Sequence, residues 1–218
     1  MNIIGFSSGT VGRLGNVDRM VLAILAKSGY PYEHVKLTDK VFSGCKGCSW
    51  LCAGPQVCKL EDDLGPYYQK IKEADAFVVG FTVHSGGIDA IGLSFMERFY
   101  GYRHVESTLQ NKPVIGVICG YMRTEKAAEQ LRGKLRGQNL LGLIEYQSYS
   151  PPCLKCGRYR ECSIGALYRT YGEEAHTMTI TDESFHQWED NPDTVAAIKE
   201  AVANLRRIPG QSDKVMSM

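Results

Sequence analysis

Seven of the chain's eight cysteines fall into two short runs. The first, "CKGCSWLCAGPQVC", carries Cys45, Cys48, Cys52 and Cys58 with the spacing C-x2-C-x3-C-x5-C. Thiolates are soft ligands for iron and zinc, and four of them close in sequence can wrap one compact metal centre. Zinc ribbons and fingers use two knuckles held apart by a longer stretch. Four ligands in a single loop suit a cubane 4Fe-4S cluster better, with a zinc site and unligated reactive thiols as the alternatives. Gly44, Gly47 and Gly54 let backbone N–H groups approach sulfide, and such hydrogen bonds tune a cluster's potential. The second run, "CLKCGRYREC", carries Cys153, Cys156 and Cys162 and is one thiolate short of a full set. Cys119 can complete it, or be a small buried core residue; His176 is a weaker fourth candidate. A second iron–sulfur cluster, structural zinc and free or redox-switching thiols are all open for this group.

Two further loops carry polar chemistry. "SSGTVGRLGNVDR" offers the hydroxyls of Ser7, Ser8 and Thr10, with Gly9, Gly12 and Gly15 for close backbone approach and Asn16 as a helix cap. It lies between a strand and a helix, where N–H groups and the helix dipole hold phosphate. No Walker lysine and no Gly-x-Gly-x-x-Gly are present. "FTVHSGGIDAIG" supplies Thr82, Val83, His84, Ser85, Gly86 and Gly87, and "CGYMRT" supplies Gly120 and Tyr121. One loop for a phosphate and two for a flat ring describe an FMN site better than a nucleoside triphosphate site. His84 and Cys119 are the candidate catalytic residues. The remaining histidines, His34, His104, His176 and His186, are scattered and form no ligand spacing; Arg103-His104 reads as solvated surface. No Ser-His-acid order supports hydrolysis.

These loops need a scaffold that brings them to one edge. "NIIGFSS", "YEHVKL", "DAFVVGFTV", "PVIGVICG" and "LGLIEYQSY" read as strands, and "NVDRMVLAILAKSG", "EDDLGPYYQKIKEA", "DAIGLSFMERFYG" and "TEKAAEQLRGKLRGQN" as the intervening helices. Strict alternation implies an α/β fold of three layers, a five-stranded parallel sheet in the order 2-1-3-4-5 with helices on both faces. The division is a domain over residues 1–150, with the cysteine loop at 43–60, and an extension over 151–218. In the extension, "NPDTVAAIKEAVANLRRI" forms a final helix capped by Asn191, and the tail after Pro209 is expected to fray.

With 218 residues, 44% of them hydrophobic, the chain can build a core without disulfides. A net charge of +1 gives no strong field toward nucleic acid or anionic membrane. The basic run "LRGKLRG" is spaced like the wet face of a helix. "MNIIGFSSGT" does not read as a signal peptide and no stretch has the length of a membrane span, so a cytoplasmic location is expected, where clustered cysteines bind metal or do redox work.

The strand–loop–helix order also resembles a known family. "GFSSGTVGRLGNVDR", the cysteine run followed by "KLEDDL", "ADAFVVGFTVHSGG" and "FMERF" are similar to the flavodoxin-like NADPH-dependent FMN reductases, and more closely to their iron–sulfur flavoprotein branch. Ser8, Gly15, Asn16 and Val17 match a "GSPR…GNT" start, Thr82 to Gly87 match "GxPVYFGS", and Met96 to Arg98 match an "FIDR"-like helix end. Val17 replaces the usual threonine of the phosphate loop, and His84 replaces an aromatic neighbour of the flavin. The cysteine spacing has three residues, where the branch usually has two, between the second and third positions. The resemblance implies a flavodoxin-like fold, bound FMN with Val17 among its contacts, a 4Fe-4S cluster and a homodimer or homotetramer. The leading expectation is an oxidoreductase. It passes electrons from a ferredoxin-like carrier through the cluster to FMN and on to a small-molecule acceptor. The alternatives are an NAD(P)H-dependent flavin, quinone or nitro reductase with a structural metal, and a non-catalytic redox sensor.

Overall fold

The computed structural model describes residues 1–208; the tail expected to fray lies outside them. In chain order the strands are β1 (Ile3–Ser7), β2 (Tyr32–Lys36), β3 (Ala76–His84), β4 (Gly87–Ile88), β5 (Pro113–Gly120) and β6 (Asn139–Gln147). The helices are α1 (Asn16–Ser28), α2 (Ser49–Cys52), α3 (Gly65–Glu73), α4 (Ala90–Glu97), α5 (Thr124–Lys134), α6 (Pro152–Cys156), α7 (Ala166–Tyr171) and α8 (Pro192–Arg206). The five long strands are parallel in the order β2-β1-β3-β5-β6, as the alternation predicts, and short β4 folds back antiparallel onto β3. β1 is buried along its whole length and β3 over its first six residues, which is why both read as near-continuous apolar runs.

Each face of the sheet carries its own core. Val17, Met20, Ile24 and Leu25 of α1 meet Ile198, Val202 and Leu205 of α8 over Val78, Val117 and Ile144. On the other face Tyr68, Phe95 and Leu131, from α3, α4 and α5, pack on Phe6, Phe77 and Phe81. Phe95 is central there, its ring 4.6 Å from Phe6 and 5.2 Å from Phe99. α8 is therefore the fifth helix of the three-layer sandwich; in the segment between β6 and α8, Tyr159, Leu167 and Ala175 form a small core of their own, while Trp188 joins the α1–α8 core.

Several boundaries differ from the sequence expectation, among them the end of α5, which stops at Lys134 rather than Asn139. α3 starts at Gly65, not Glu61, because Pro66 lacks an N–H and fits only the first turn. α4 ends at Glu97, and Arg98–Tyr102 continues as a 3-10 turn. α1 is capped at Gly15, so Asn16 is its first helical residue rather than its cap. Asn191 does cap α8, accepting from Thr194 N–H at 2.8 Å, and the "LRGKLRG" run ends α5 with Leu131 buried and Arg132 exposed, as a wet helix face should.

Candidate flavin and metal site

The β1–α1 loop folds around one carboxylate. Asp18 is fully buried and accepts from Ser7 Oγ at 2.5 Å, Gly9 N–H at 3.2 Å and Gly15 N–H at 2.8 Å. A Cβ on Gly9 would lie 1.9 Å from the Asp18 carboxylate, so only glycine fits there. Lys36 Nζ lies 3.6 Å from the same carboxylate and donates to the carbonyls of Thr10 (2.6 Å) and Arg13. His34 Nε2 sits 3.0 Å from Ser7 Oγ, and burial pushes its imidazole below the ordinary 6.5.

The other expected residues of this loop are engaged within the protein. Ser7 Oγ is spent on Asp18 and His34. Ser8 Oγ donates to Asp89 and accepts from Thr82 N–H at 3.2 Å. The Val17 side chain is in the core, 1% exposed. Asn16 donates to the His186 carbonyl at 3.1 Å. Among the expected hydroxyls of this loop, Thr10 alone stands on the surface.

The other two loops meet beside it. β3 and β4 form a tight hairpin pairing Val83 with Ile88 and His84 with Gly87. Its corner residues Ser85 and Gly86 have φ of 52° and 81°, both in the left-handed region that a two-residue hairpin of this twist requires. His84 and Ser85 are exposed. Gly120 lies against Val83: a Cβ would come within 2.7 Å of the valine Cβ. Tyr121 follows, half-buried. Asp89 ties the edge together. It is 3% exposed, caps α4 by accepting from Gly92 N–H at 2.9 Å, and takes both the N–H and the hydroxyl of Thr82 at 3.0 Å.

A cleft of about 340 Å³ opens between the β1–α1 loop and the segment after β6, lined by Arg13, Gly15, Asn16, Arg19, Lys155 and His186 among others. Arg19 is paired with Glu189 at 2.8 Å. Among the described residues, neither Arg13 nor Lys155 has a carboxylate partner. Desolvation, then Arg13 and Arg19, pull the Lys155 ammonium below its ordinary value. The start of α1, a thirteen-residue helix, lines the same cleft through Gly15 and Asn16, a combination that fits a phosphate. Sequence reading missed Lys155 and His186, because they come from a segment with no periodic signal and meet the loop only through the fold.

The first cysteine group is clamped by the segment that follows α4. α2 places Cys48 at its start and Cys52 at its end. Cys52 is buried, Cys48 and Cys58 half-buried and Cys45 exposed. Burial, then the neighbouring Cys58 and Cys48 thiols, push Cys52 above the ordinary thiol value. Gly47 N–H donates to Cys45 Sγ at 3.4 Å, Arg98 Nε donates to Cys58 Sγ at 3.1 Å, and Gly101 lies so close to the Cys58 backbone that a Cβ would come within 2.8 Å of its nitrogen. His104, expected on solvated surface, is half-buried with Nε2 3.0 Å from Cys52 Sγ. Among the described residues no three Cys, His, Asp or Glu side chains already converge on one point, so thiol rotation is needed to close a cage. The donor set itself suits an iron–sulfur cluster: four unbridged cysteines in one loop, with N–H donors already aimed at two of the sulfurs.

The second group is looser. A Cβ on Gly165 would lie 3.0 Å from Cys153 Sγ and 3.1 Å from Cys162 Sγ, so these two sulfurs approach one another across a glycine; Cys156 is exposed at the end of α6. Cys119 is not gathered with them into a group of three possible ligands among the described residues. It lies in the core beside Val17 and Tyr146, 7% exposed, where burial pushes its thiol up to about 12. His176 stacks on Tyr168 with its ring centroid 5.2 Å away, and its buried Nε2 has no hydrogen-bond partner.

Comparison with known proteins agrees with this architecture. Residues 1–149 match the family model described as NADPH-dependent FMN reductase. The chain belongs to that family. It is 32% identical to an iron–sulfur flavoprotein of Methanocaldococcus jannaschii over 56% of this chain and 64% of that one. It is 30% identical to an iron–sulfur flavoprotein of Archaeoglobus fulgidus, over 53% of this chain and 58% of that one. The chain thus spans about three fifths of the length of the curated relatives it matches. The crystal structure of an FMN-dependent NADH-azoreductase from Bacillus anthracis superposes with a TM-score of 0.56 at 10% identity, covering 95% of this chain and 100% of that one. That likeness supports the fold.

Proposed function

We propose that the protein is an iron–sulfur flavoprotein oxidoreductase that binds FMN at the carboxyl edge of the sheet and a 4Fe-4S cluster on Cys45, Cys48, Cys52 and Cys58. The observation that carries this reading is α4. Its first turn is capped by Asp89, which fastens Ser8 and Thr82 at the flavin edge. Arg98, just past its last turn, fastens Cys58, and Gly44 lies against its Ser94 and Glu97. Eight helical residues span about 12 Å, so one rigid element sets both sites. When bound, the cluster exchanges single electrons and FMN exchanges electrons singly or in pairs.

The chain's own contribution is placement. Thr10, the first-turn N–H groups of α1, Arg13 and Lys155 hold the phosphate. The hairpin and the Gly120–Tyr121 turn form a wall for the ring, with His84 on the solvent side where a small acceptor enters. Cys153, Cys156 and Cys162 hold a second metal, iron–sulfur or zinc. The exposed side chains of Val41, Trp50, Tyr100 and Val105 lie on the cysteine loop and on the segment clamping it, and support an interface there with a second copy or an electron carrier. No helix among the described residues is long and apolar enough to cross a membrane.

A second reading, direct reduction by NAD(P)H with a structural metal, is favoured by the family match. Anaerobic stopped-flow separates the two. With reduced ferredoxin, flavin bleaching is expected to be fast in the wild type and at least tenfold slower in Cys48→Ala. Rapid bleaching by NADPH, equal in both proteins, would move the assignment to the second reading.

A further inference from the structure

Arg98 is the largest fully buried side chain among the described residues, 1% exposed. Its guanidinium lies over the Tyr68 ring, 4.7 Å from the centroid. Nη1 donates to Asp62 Oδ2 at 2.5 Å, Nη2 to the Leu60 carbonyl at 3.4 Å, and Nε to Cys58 Sγ at 3.1 Å. Removing a guanidinium from water is costly, and anchoring the loop needs only an apolar side chain. A buried cation whose donor is aimed at one cysteine sulfur has a second consequence, an electrical one.

We propose that Arg98 is a positioning residue that acts through Cys58 to raise the reduction potential of the cluster bound at the first cysteine group. The proposal rests on the 4Fe-4S reading of that group. One-electron reduction adds one negative charge to the cluster and its ligands. The Nε–H···S bond and the desolvated positive charge behind it stabilise the more negative state more than the oxidised one. Asp62 opposes this, but its side chain is 15% exposed against 0% for Arg98, so solvent screens its charge more. Cys58 is thereby made unequal to Cys45, whose sulfur takes only a neutral backbone N–H at 3.4 Å.

The test uses the anaerobically purified full chain, wild type, Arg98→Met and Asp62→Asn, with iron and FMN quantified and the cluster titrated by electron paramagnetic resonance. At the wild-type midpoint potential, Arg98→Met is expected to lower the reduced-to-oxidised ratio of the cluster about tenfold, and Asp62→Asn to raise it, with the flavin midpoint unchanged in both. A purely structural role predicts no opposed shifts. Iron-loaded variants whose cluster potentials stay put, or move the same way, would overturn the Arg98 assignment and leave the cluster reading standing. Iron-free wild-type protein would overturn both. If Arg98→Met does not fold, the direction of the Asp62→Asn shift decides alone.

Discussion

Asp18 gives the β1–α1 loop its shape, and the residues around it set how that loop responds to pH. His34 is held below its ordinary value chiefly by burial, with Lys36 adding to the depression and Asp18 and Asp39 opposing it. A folded-state pKa below the unfolded one means the unfolded chain binds more protons. The stability contributed is present above about 6.5 and is lost as pH falls through the folded value. Chemical denaturation across this range is expected to show stability declining as the solution is acidified below 6.5, and His34→Gln is expected to flatten the decline in that window. An unchanged slope would remove His34 from the loop's energetics. At this scale the sequence was legible in part. Thr10, His84 and Ser85 lie on the surface, where a ligand can reach them. Ser7 and Ser8 turn inward because two buried carboxylates, Asp18 and Asp89, take their hydroxyls, and Val17 turns inward because it packs in the core. That choice depends on packing, which residue type alone does not encode.

α4 joins the β3–β4 hairpin edge to the cysteine loop, and its N-terminal fastening can be removed with one substitution. Asp89→Ala leaves Gly92 N–H without its cap and the Thr82 and Ser8 hydroxyls without their acceptor. A cost of about 1–3 kcal/mol in urea unfolding is expected, together with weaker flavin retention on gel filtration. Full stability and unchanged flavin content would detach Asp89 from the site. The elements themselves were the most legible part of the sequence. β1, β3 and β5 are continuous apolar runs because both faces are covered, and α1 shows its stripe clearly. β4 and α2 escaped notice, since two and four residues are too short to carry a period. The clamp on the cysteine loop escaped too. Arg98, Gly101 and His104 lie forty residues or more from Cys52 and Cys58 in sequence, and nothing local announces the contact.

Over the whole molecule, the segment after β6 is held against α1 through Arg19 and Glu189 and closes one side of the cationic cleft. If that cleft takes the cofactor phosphate, Lys155→Ala should weaken FMN binding about tenfold while leaving riboflavin, which lacks the phosphate, unaffected. Fluorescence titration with both flavins measures this, and equal losses for the two would place the phosphate elsewhere. The central claim is that one chain carries both a flavin and an iron–sulfur cluster. Anaerobic quantification of iron, zinc and FMN, with electron paramagnetic resonance of the reduced protein, tests it most directly when wild type is compared with Cys48→Ala and Cys156→Ala. The expected result is about one FMN and about four or eight irons per chain, with the signal from the first cysteine group abolished in Cys48→Ala and kept in Cys156→Ala. Iron-free protein with tightly bound zinc, or an iron signal indifferent to Cys48, would contradict it.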